Sequence, residues 1–371
     1  MSSSSQAFQF GRYEIIGEIG RGSMGVVYKA RDPAIGRLVA VKSIPETFGL
    51  EENKREEFIK RLRQEAMTAG RLQHPNIVII YDVGETEQGP FIAMEYLDGV
   101  TLRDVITAGK KISLNQLVEI ISQVADGLDY AHQKAIIHRD IKPANIMIVA
   151  DNRVKIMDLG IARFPMSELT KEGKLVGSPS YMSPEQLSGK SIDGRSDLFS
   201  LGVCIYQLMT FKKPFPGESV NEICYKIVHD DYVPVAEHNH ELPPEFEDFM
   251  RIALSKNRDE RFQSGAEMVE ALTIIADQSY QEGGMEGVRD SALREDLEES
   301  AVGFEDSYES NPNLSHSSNI DDLFKELTLT SRSVNLRGSQ SRGGGKWIYL
   351  AGALAAAGII GLILFFAMRG G

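Results

Sequence analysis

The chain has 371 residues, 42% hydrophobic and 25% charged, which is long enough for two domains or one large two-lobed one. A formal net charge of -13 argues against nonspecific nucleic-acid binding, and no nucleic-acid partner is expected. Only two cysteines, Cys204 and Cys224, are present, so a disulfide framework is excluded and a reducing compartment is the expectation.

Residues 1–10, "MSSSSQAFQF", carry no basic region followed by an apolar run, so no secretory signal is visible and a disordered N-terminus is expected. Strand-like alternation begins in "YEIIGEIGRGSMGVVYKAR", which contains Gly20, Gly22 and Gly25 as G-x-G-x-x-G. Three glycines also suit a plain hairpin, and the spacing is that of a dinucleotide fold. A dinucleotide fold would start a helix after the glycines, whereas "VVYKAR" is strand-prone. A strand–loop–strand here can fold its backbone N–H groups over the phosphates of a nucleotide.

In "RLVAVKSI", alternation puts Leu38, Ala40, Lys42 and Ile44 on one face. A lysine on an apolar face either snorkels to water or meets an anion. The segment "EENKREEFIKRLRQEAMTAGRLQ" reads as a helix with the stripe Phe58, Leu62, Ala69 and Leu72. Glu65 fills the missing step of that stripe. It either faces water from the helix shoulder or pairs with Lys42, and each residue explains the other.

Between apolar runs, "IIHRDIKPANIMIV" holds Asp140, Lys142 and Asn145. In "NRVKIMDLG", Val154, Ile156 and Asp158 share a strand face that ends at Gly160. A lone Asp-x-Gly is commonly a turn. Here it follows Asn145 by thirteen residues, and a tight hairpin would bring carboxylate and amide together around a hard cation such as Mg2+. Asp140 can deprotonate an attacking hydroxyl, and Lys142 can sit over a transferred phosphoryl group as a point charge. Phosphoryl transfer asks mainly for such positioning and charge neutralisation.

Taken in order, "GRGSMG", "VAVK", Glu65, "HRDIKPAN", "DLG" and "SPE" resemble the protein kinases, and specifically the eukaryotic-like Ser/Thr kinases of bacteria, over residues 11–277. The resemblance implies an α+β two-lobed protein-kinase fold. Its small β-rich lobe, to about residue 95, would hold a five-stranded sheet and one main helix, and the larger lobe would be helical. It implies ATP between the lobes, with Mg2+ or Mn2+ as metal. The ATP-binding residues would be Gly20, Gly22, Gly25, Val27, Ala40, Lys42, Met94, Glu95 and Leu97, with "AMEYL" as the hinge.

The implied catalytic set is Asp140 as base, Lys142 at the γ-phosphate, and Lys42 on the α- and β-phosphates held by Glu65. Asn145 and Asp158 would ligate the metal. The lysine two places after the base is the Ser/Thr pattern. In the activation segment, Glu185 would pair with Arg261, Ser178 would sit beside Asp140 and Lys142, and Thr170 would take an activating phosphate matched to Arg139. Asp197 would hold the backbone of the catalytic loop. Departures are Leu159 where phenylalanine is usual, Ser183 for alanine, and Phe199 for tryptophan. None removes a catalytic group, which argues against an inactive scaffold, and the segment ending "GSPSYMSPE" argues against a small-molecule kinase. A membrane-tethered adaptor role could accompany the activity.

Residues 278–346 read as a disordered, Ser-rich acidic linker; from Gln281 to Lys346 there are 13 acidic against 7 basic residues. Within it, Ile320, Leu323, Phe324 and Leu327 have helical spacing, which suits either a fluctuating turn or a docking motif. Trp347 to Met368 is 22 residues without a charge, long enough for a transmembrane helix. Arg337, Arg342 and Lys346 before it place the kinase region on the cytoplasmic side of the cell membrane, and residues 369–371 form a short outer tail. Expected partners are therefore protein substrates, the membrane and the chain itself, through autophosphorylation or a homodimer.

Overall fold

The alternating segments of the first hundred residues build an antiparallel sheet in the computed structural model. Its strands are β1 (Gln9–Phe10), β2 (Tyr13–Gly22), β3 (Gly25–Asp32), β4 (Arg37–Ser43), β5 (Ile80–Thr86) and β6 (Gly89–Glu95), in the order β1-β2-β3-β4-β6-β5. Helix α1 (Glu52–Ala69) packs on it. The structure describes residues 8–22, 25–44, 52–87, 89–150, 152–160 and 179–290. Two expectations are corrected. The sheet has six strands rather than five, and residues 9–10 are a paired strand rather than disordered tail. The cause is Phe10, which is 2% exposed and packs with Tyr13, Val39, Val41 and Phe91.

Strand β4 is buried on both faces. Val39 and Val41 belong to the aromatic cluster under β1 and β2. On the other face, Ala40 and Ile44 are buried, and Ile44 packs with Leu62, Ala66 and Ile92 beneath α1. This fixes the height of Lys42, which lies opposite Val27 of β3 and Ile92 of β6 in the ladder.

The second lobe starts with β7 (Gly99–Thr101), α2 (Leu102–Thr107) and α3 (Leu114–Gln133). Thr101 and Asp104 close a capping box on α2, and Ser113 and Gln116 do the same on α3, so each helix starts where its first free N–H groups find side-chain acceptors. Strands β8 (Ile146–Val149) and β9 (Arg153–Ile156) form a tight antiparallel hairpin that joins β7 in a three-stranded sheet. Helices α4 (Pro184–Leu187), α5 (Gly194–Thr210), α6 (Val220–His229), α7 (Glu245–Ala253) and α8 (Gly265–Asp290) complete the lobe. Almost every residue of α5 is buried, as expected for a helix apolar all round at the centre of a domain. Asp129 of α3 accepts the first N–H groups of α8, from Gly265 at 2.7 Å and Ala266 at 2.9 Å, which pins the last helix to the middle of the lobe.

Helix α8 runs to Asp290, so the linker expected from 278 begins as helix rather than as disordered chain. Among the described residues no helix is long and apolar enough to cross a membrane. The expected span at 347–368, the rest of the linker with Ile320, Leu323, Phe324 and Leu327, and the tail at 369–371 lie outside those residues.

Candidate active site

The β8–β9 hairpin carries the site. Its register pairs Ile146 with Ile156, so Asn145 just before β8 meets the residues just after β9, and Met157 N–H donates to the Asn145 carbonyl at 2.8 Å. Ile146, Ile148, Val154 and Ile156 are fully buried in the core, which anchors one face of the hairpin and leaves polar groups at its mouth. Asn76 and Gln123 lock it from behind: Asn76 Nδ2 donates to the Val154 carbonyl at 2.9 Å, and Val154 N–H donates to Gln123 Oε1 at 2.9 Å.

At the mouth, Lys142 Nζ donates to Asp140 Oδ2 at 2.8 Å. Asn145 Nδ2 donates to the Asp140 carbonyl at 2.9 Å and to its Oδ2 at 3.1 Å. These bonds fix the carboxylate, as a general base requires. The loop itself hangs on Asp197 of α5, which is 1% exposed and accepts the N–H groups of His138 and Arg139, each at 2.8 Å. His132 Nε2 lies 2.8 Å from the same carboxylate. Asp140 N–H donates to His138 Nδ1 at 3.2 Å, which puts the proton of this buried ring on Nε2, and Nε2 donates to the Met157 carbonyl at 2.8 Å. The loop of Asp140 and the turn after β9 are thus tied by one histidine.

Backbone strain concentrates here. Arg139 has φ 65° and Asp158 φ 55°, both left-handed non-glycine residues held by the surrounding bonds. Gly160 has φ 41°, and a Cβ there would come 2.7 Å from the His138 carbonyl, so the last residue of "DLG" must be glycine for the two loops to touch. Leu159 is 5% exposed and packs with Ala69, Leu72 and Ile77 beneath the end of α1.

Lys42 Nζ donates to Asp158 Oδ1 at 2.8 Å, with side-chain exposures of 12% and 38%. The sequence pairs this lysine with Glu65; in the structure Lys42 bonds Asp158, because the turn after β9 carries that carboxylate up to β4. Glu65 is half-buried on α1 between Leu62 and Ala66. Burial works against ionisation of Asp158. The Lys42 ammonium, with Lys142, more than reverses this and holds the carboxyl below the usual aspartate range.

The residues fit a divalent metal. The Asn145 amide nitrogen is committed to Asp140, and Lys42 takes only Oδ1 of Asp158, so one hard oxygen on each side chain accepts from no donor among the described residues. Two protein oxygens, with phosphates and water supplying the rest, match Mg2+. They also fit a nucleotide. A Cβ on Gly20 or Gly22 would meet no atom within 4 Å, so the protein's own packing does not demand glycine there and the space over the loop is open to a ligand. Gly25 has φ 131°, which only glycine adopts readily.

Met94 stands opposite Ala40 in the ladder, with Glu95 next to it and half-buried Leu97 three residues on, while half-buried Val27 of β3 lies opposite Lys42. Thr170 and Ser178 lie outside the described residues. Glu185 and Arg261 form a bidentate pair, with both N–H···O distances 2.8 Å and side-chain exposures of 7% and 0%. Ser196 Oγ adds a bond to Glu185 at 2.6 Å, and the Arg261 guanidinium lies 4.9 Å from the Phe199 ring centroid. Burial pushes the Glu185 carboxyl up, but Arg261 and Ser196 bring it down to about 2.

Sequence reasoning missed the link between hinge and hairpin. Lys155 of β9 is 5% exposed and donates to Glu95 Oε2 at 2.8 Å, and Ile79 N–H reaches the same oxygen at 3.2 Å. The available signal was Glu95 itself, an acid at the end of an apolar strand that needs a cation. Met147 was missed too. It pairs with Lys155 in register, on the sheet face opposite the buried Ile146 and Ile148, and so faces the hinge side.

Comparison with known proteins agrees with this geometry. Residues 13–273 match the model of the protein kinase domain. The chain is 41% identical over 264 residues to serine/threonine-protein kinase PknB of Mycolicibacterium smegmatis, covering 69% of this chain and 42% of that protein. It is 40% identical over 264 residues to PknB of Mycobacterium tuberculosis, with the same coverage. A probable serine/threonine-protein kinase of Streptomyces coelicolor is 39% identical over 265 residues, covering 70% and 39%. The matched stretch thus spans about two fifths of the length of these relatives.

Proposed function

Because the chain belongs to the protein kinase domain family, we propose that it transfers the γ-phosphoryl group of ATP to serine and threonine hydroxyls of proteins, its own included. The observation that carries this is the constellation at the hairpin mouth: Asp140 held by Lys142 and Asn145, with Asp158 ionised beside Lys42. The acceptor hydroxyl oxygen attacks the γ-phosphorus, its proton passes to the Asp140 carboxylate, and the bond to the bridging oxygen breaks to release ADP. Lys142 neutralises charge on the phosphoryl group in flight, and Lys42 orients the remaining phosphates. A divalent metal held by Asn145 and Asp158 would neutralise phosphate charge. The Ser/Thr preference rests on Lys142 two residues after the base and on the names of the relatives.

Regulation and location are part of the same proposal. Arg139 beside the base suits a kinase ordered by a phosphate on its activation segment, and Thr170 is the candidate. The uncharged run at 347–368 would hold the catalytic lobes at the cytoplasmic face of a membrane, where a second copy is the nearest substrate. The test is incubation of the full chain with γ-labelled ATP, Mg2+ and a protein acceptor, followed by phosphoamino-acid analysis. Label in phosphoserine and phosphothreonine, absent with Asp140→Asn, supports the reading; ATP hydrolysis without protein labelling overturns it.

A further inference from the structure

Lys213 is placed oddly for a surface lysine. It follows α5, is half-buried, and donates to Ser180 Oγ at 2.9 Å in the short helical turn Pro179–Tyr181. Its ammonium lies 5.8 Å from the Tyr181 ring centroid. No carboxylate among the described residues pairs with it. Burial lowers its pKa below the ordinary lysine value, and no anion raises it again. A second cation, Arg103 of α2, acts electrostatically on Tyr181, and no ion pair engages it among the described residues. Acids on the same elements are committed elsewhere: Asp104 closes the α2 cap, and Glu185 holds Arg261.

The segment that Lys213 contacts is tied to the catalytic loop and to α5. Tyr181 is fixed by a bond from its hydroxyl to Gln207 Oε1 at 2.5 Å and by Ser200 Oγ donating to its carbonyl at 2.6 Å. Gln186, five residues after Tyr181, donates to the Arg139 carbonyl at 3.0 Å. Lys213 is therefore an under-compensated cation on the segment that Gln186 ties to the loop of Asp140.

We propose that Lys213, supported by the exposed Arg103 of α2, is a specificity-determining residue that binds a carboxylate of the peptide substrate and favours acceptors with a nearby glutamate or aspartate. This rests on the protein kinase reading above. A half-buried cation without a counterion gains a partner on binding, and the gain exceeds that of a fully exposed pair because less water screens it.

The experiment measures kcat/KM of the full chain on a set of serine and threonine peptides, each carrying glutamate or glutamine at one flanking position. The expected result is one position where glutamate is favoured about tenfold, through KM, with the ratio shrinking in high salt. Lys213→Met should bring that ratio near one, Lys213→Arg should keep it, and Arg103→Met should lower it. Because the reading is a ratio of paired peptides, a general loss of activity cancels. If Lys213→Met does not fold, Arg103→Met and the salt dependence of the wild type still decide. A wild type indifferent to glutamate at every position overturns the proposal, as does a Lys213→Met variant that loses activity on all peptides while keeping the ratio, which would leave the Ser180 bond as a strut only. A wild type that phosphorylates no peptide and no protein fails the kinase reading itself.

Discussion

Two ion pairs of this molecule hold their acids ionised, and they do so in opposite settings. Lys42–Asp158 sits at the cleft, with side-chain exposures of 12% and 38%, and uses one oxygen of the carboxylate. Glu185–Arg261 is buried at 7% and 0%; both its oxygens are used, and the guanidinium also reaches the carbonyls of Ser255, Arg195 and Lys256. A saturated buried pair can only brace the fold. An unsaturated pair at a cleft can still meet phosphate and metal. The difference teaches that spare bonding capacity, more than the presence of charge, separates working groups from braces.

The sharpest way to break this comparison is to remove each acid's partner and see which property collapses. Glu185→Gln should cost about 3–5 kcal/mol, because Arg261 is left buried without its counter-charge. Urea unfolding at neutral pH checks it. Its pH signature has a definite sign. The folded carboxyl titrates at about 2, below its ordinary value of 4.5. Stability from the pair is therefore complete above pH 4.5 and is lost as pH falls toward about 2. The melting temperature of the wild type should fall more steeply through that window than that of Glu185→Gln.

Lys42→Met should do the reverse, lowering phosphoryl transfer about a hundred- to a thousandfold with an unfolding free energy within about 1 kcal/mol of wild type. Steady-state kinetics and urea unfolding on one preparation decide it. Lys155→Met is intermediate. It strands Glu95 behind the hinge, so a loss of about 1–3 kcal/mol and a raised KM for ATP are expected. The double change Lys155→Met with Glu95→Gln should recover part of the stability in a mutant cycle. The smallest effect belongs to Lys111–Glu241, at 3.2 Å with exposures of 74% and 75%. Lys111→Ala should change stability by under about 1 kcal/mol, because solvent already screens that pair.

The local devices of the fold were legible where they depend on neighbours in sequence. The glycine loop and the apolar hairpin strands announce themselves by spacing. The site residues around Asp140 could be read because each is a polar group set among apolar ones, which needs a reason. Contacts between distant segments could not be read that way. Alternation on β4 suggested one buried face, yet Val39 and Val41 bury the other against Phe10, whose position in a Ser-rich tail gave no sign of it. The sequence offered Lys42 only Glu65 as a partner; its bond to Asp158 depends on the left-handed turn that brings that distant carboxylate to β4. Lys155 carries no signal of its own in the sequence, because only the fold sets Glu95 opposite it.

Asp140 tests the central claim most directly. Asp140→Asn keeps the shape and the acceptor oxygen but cannot take a proton, so only the base chemistry is removed. The account predicts that this variant still gains thermal stability from ATP with Mg2+ as the wild type does, while single-turnover transfer to a serine or threonine peptide falls about a hundred- to ten-thousandfold. Transfer at a near wild-type rate by a folded, ATP-binding Asp140→Asn protein would contradict it.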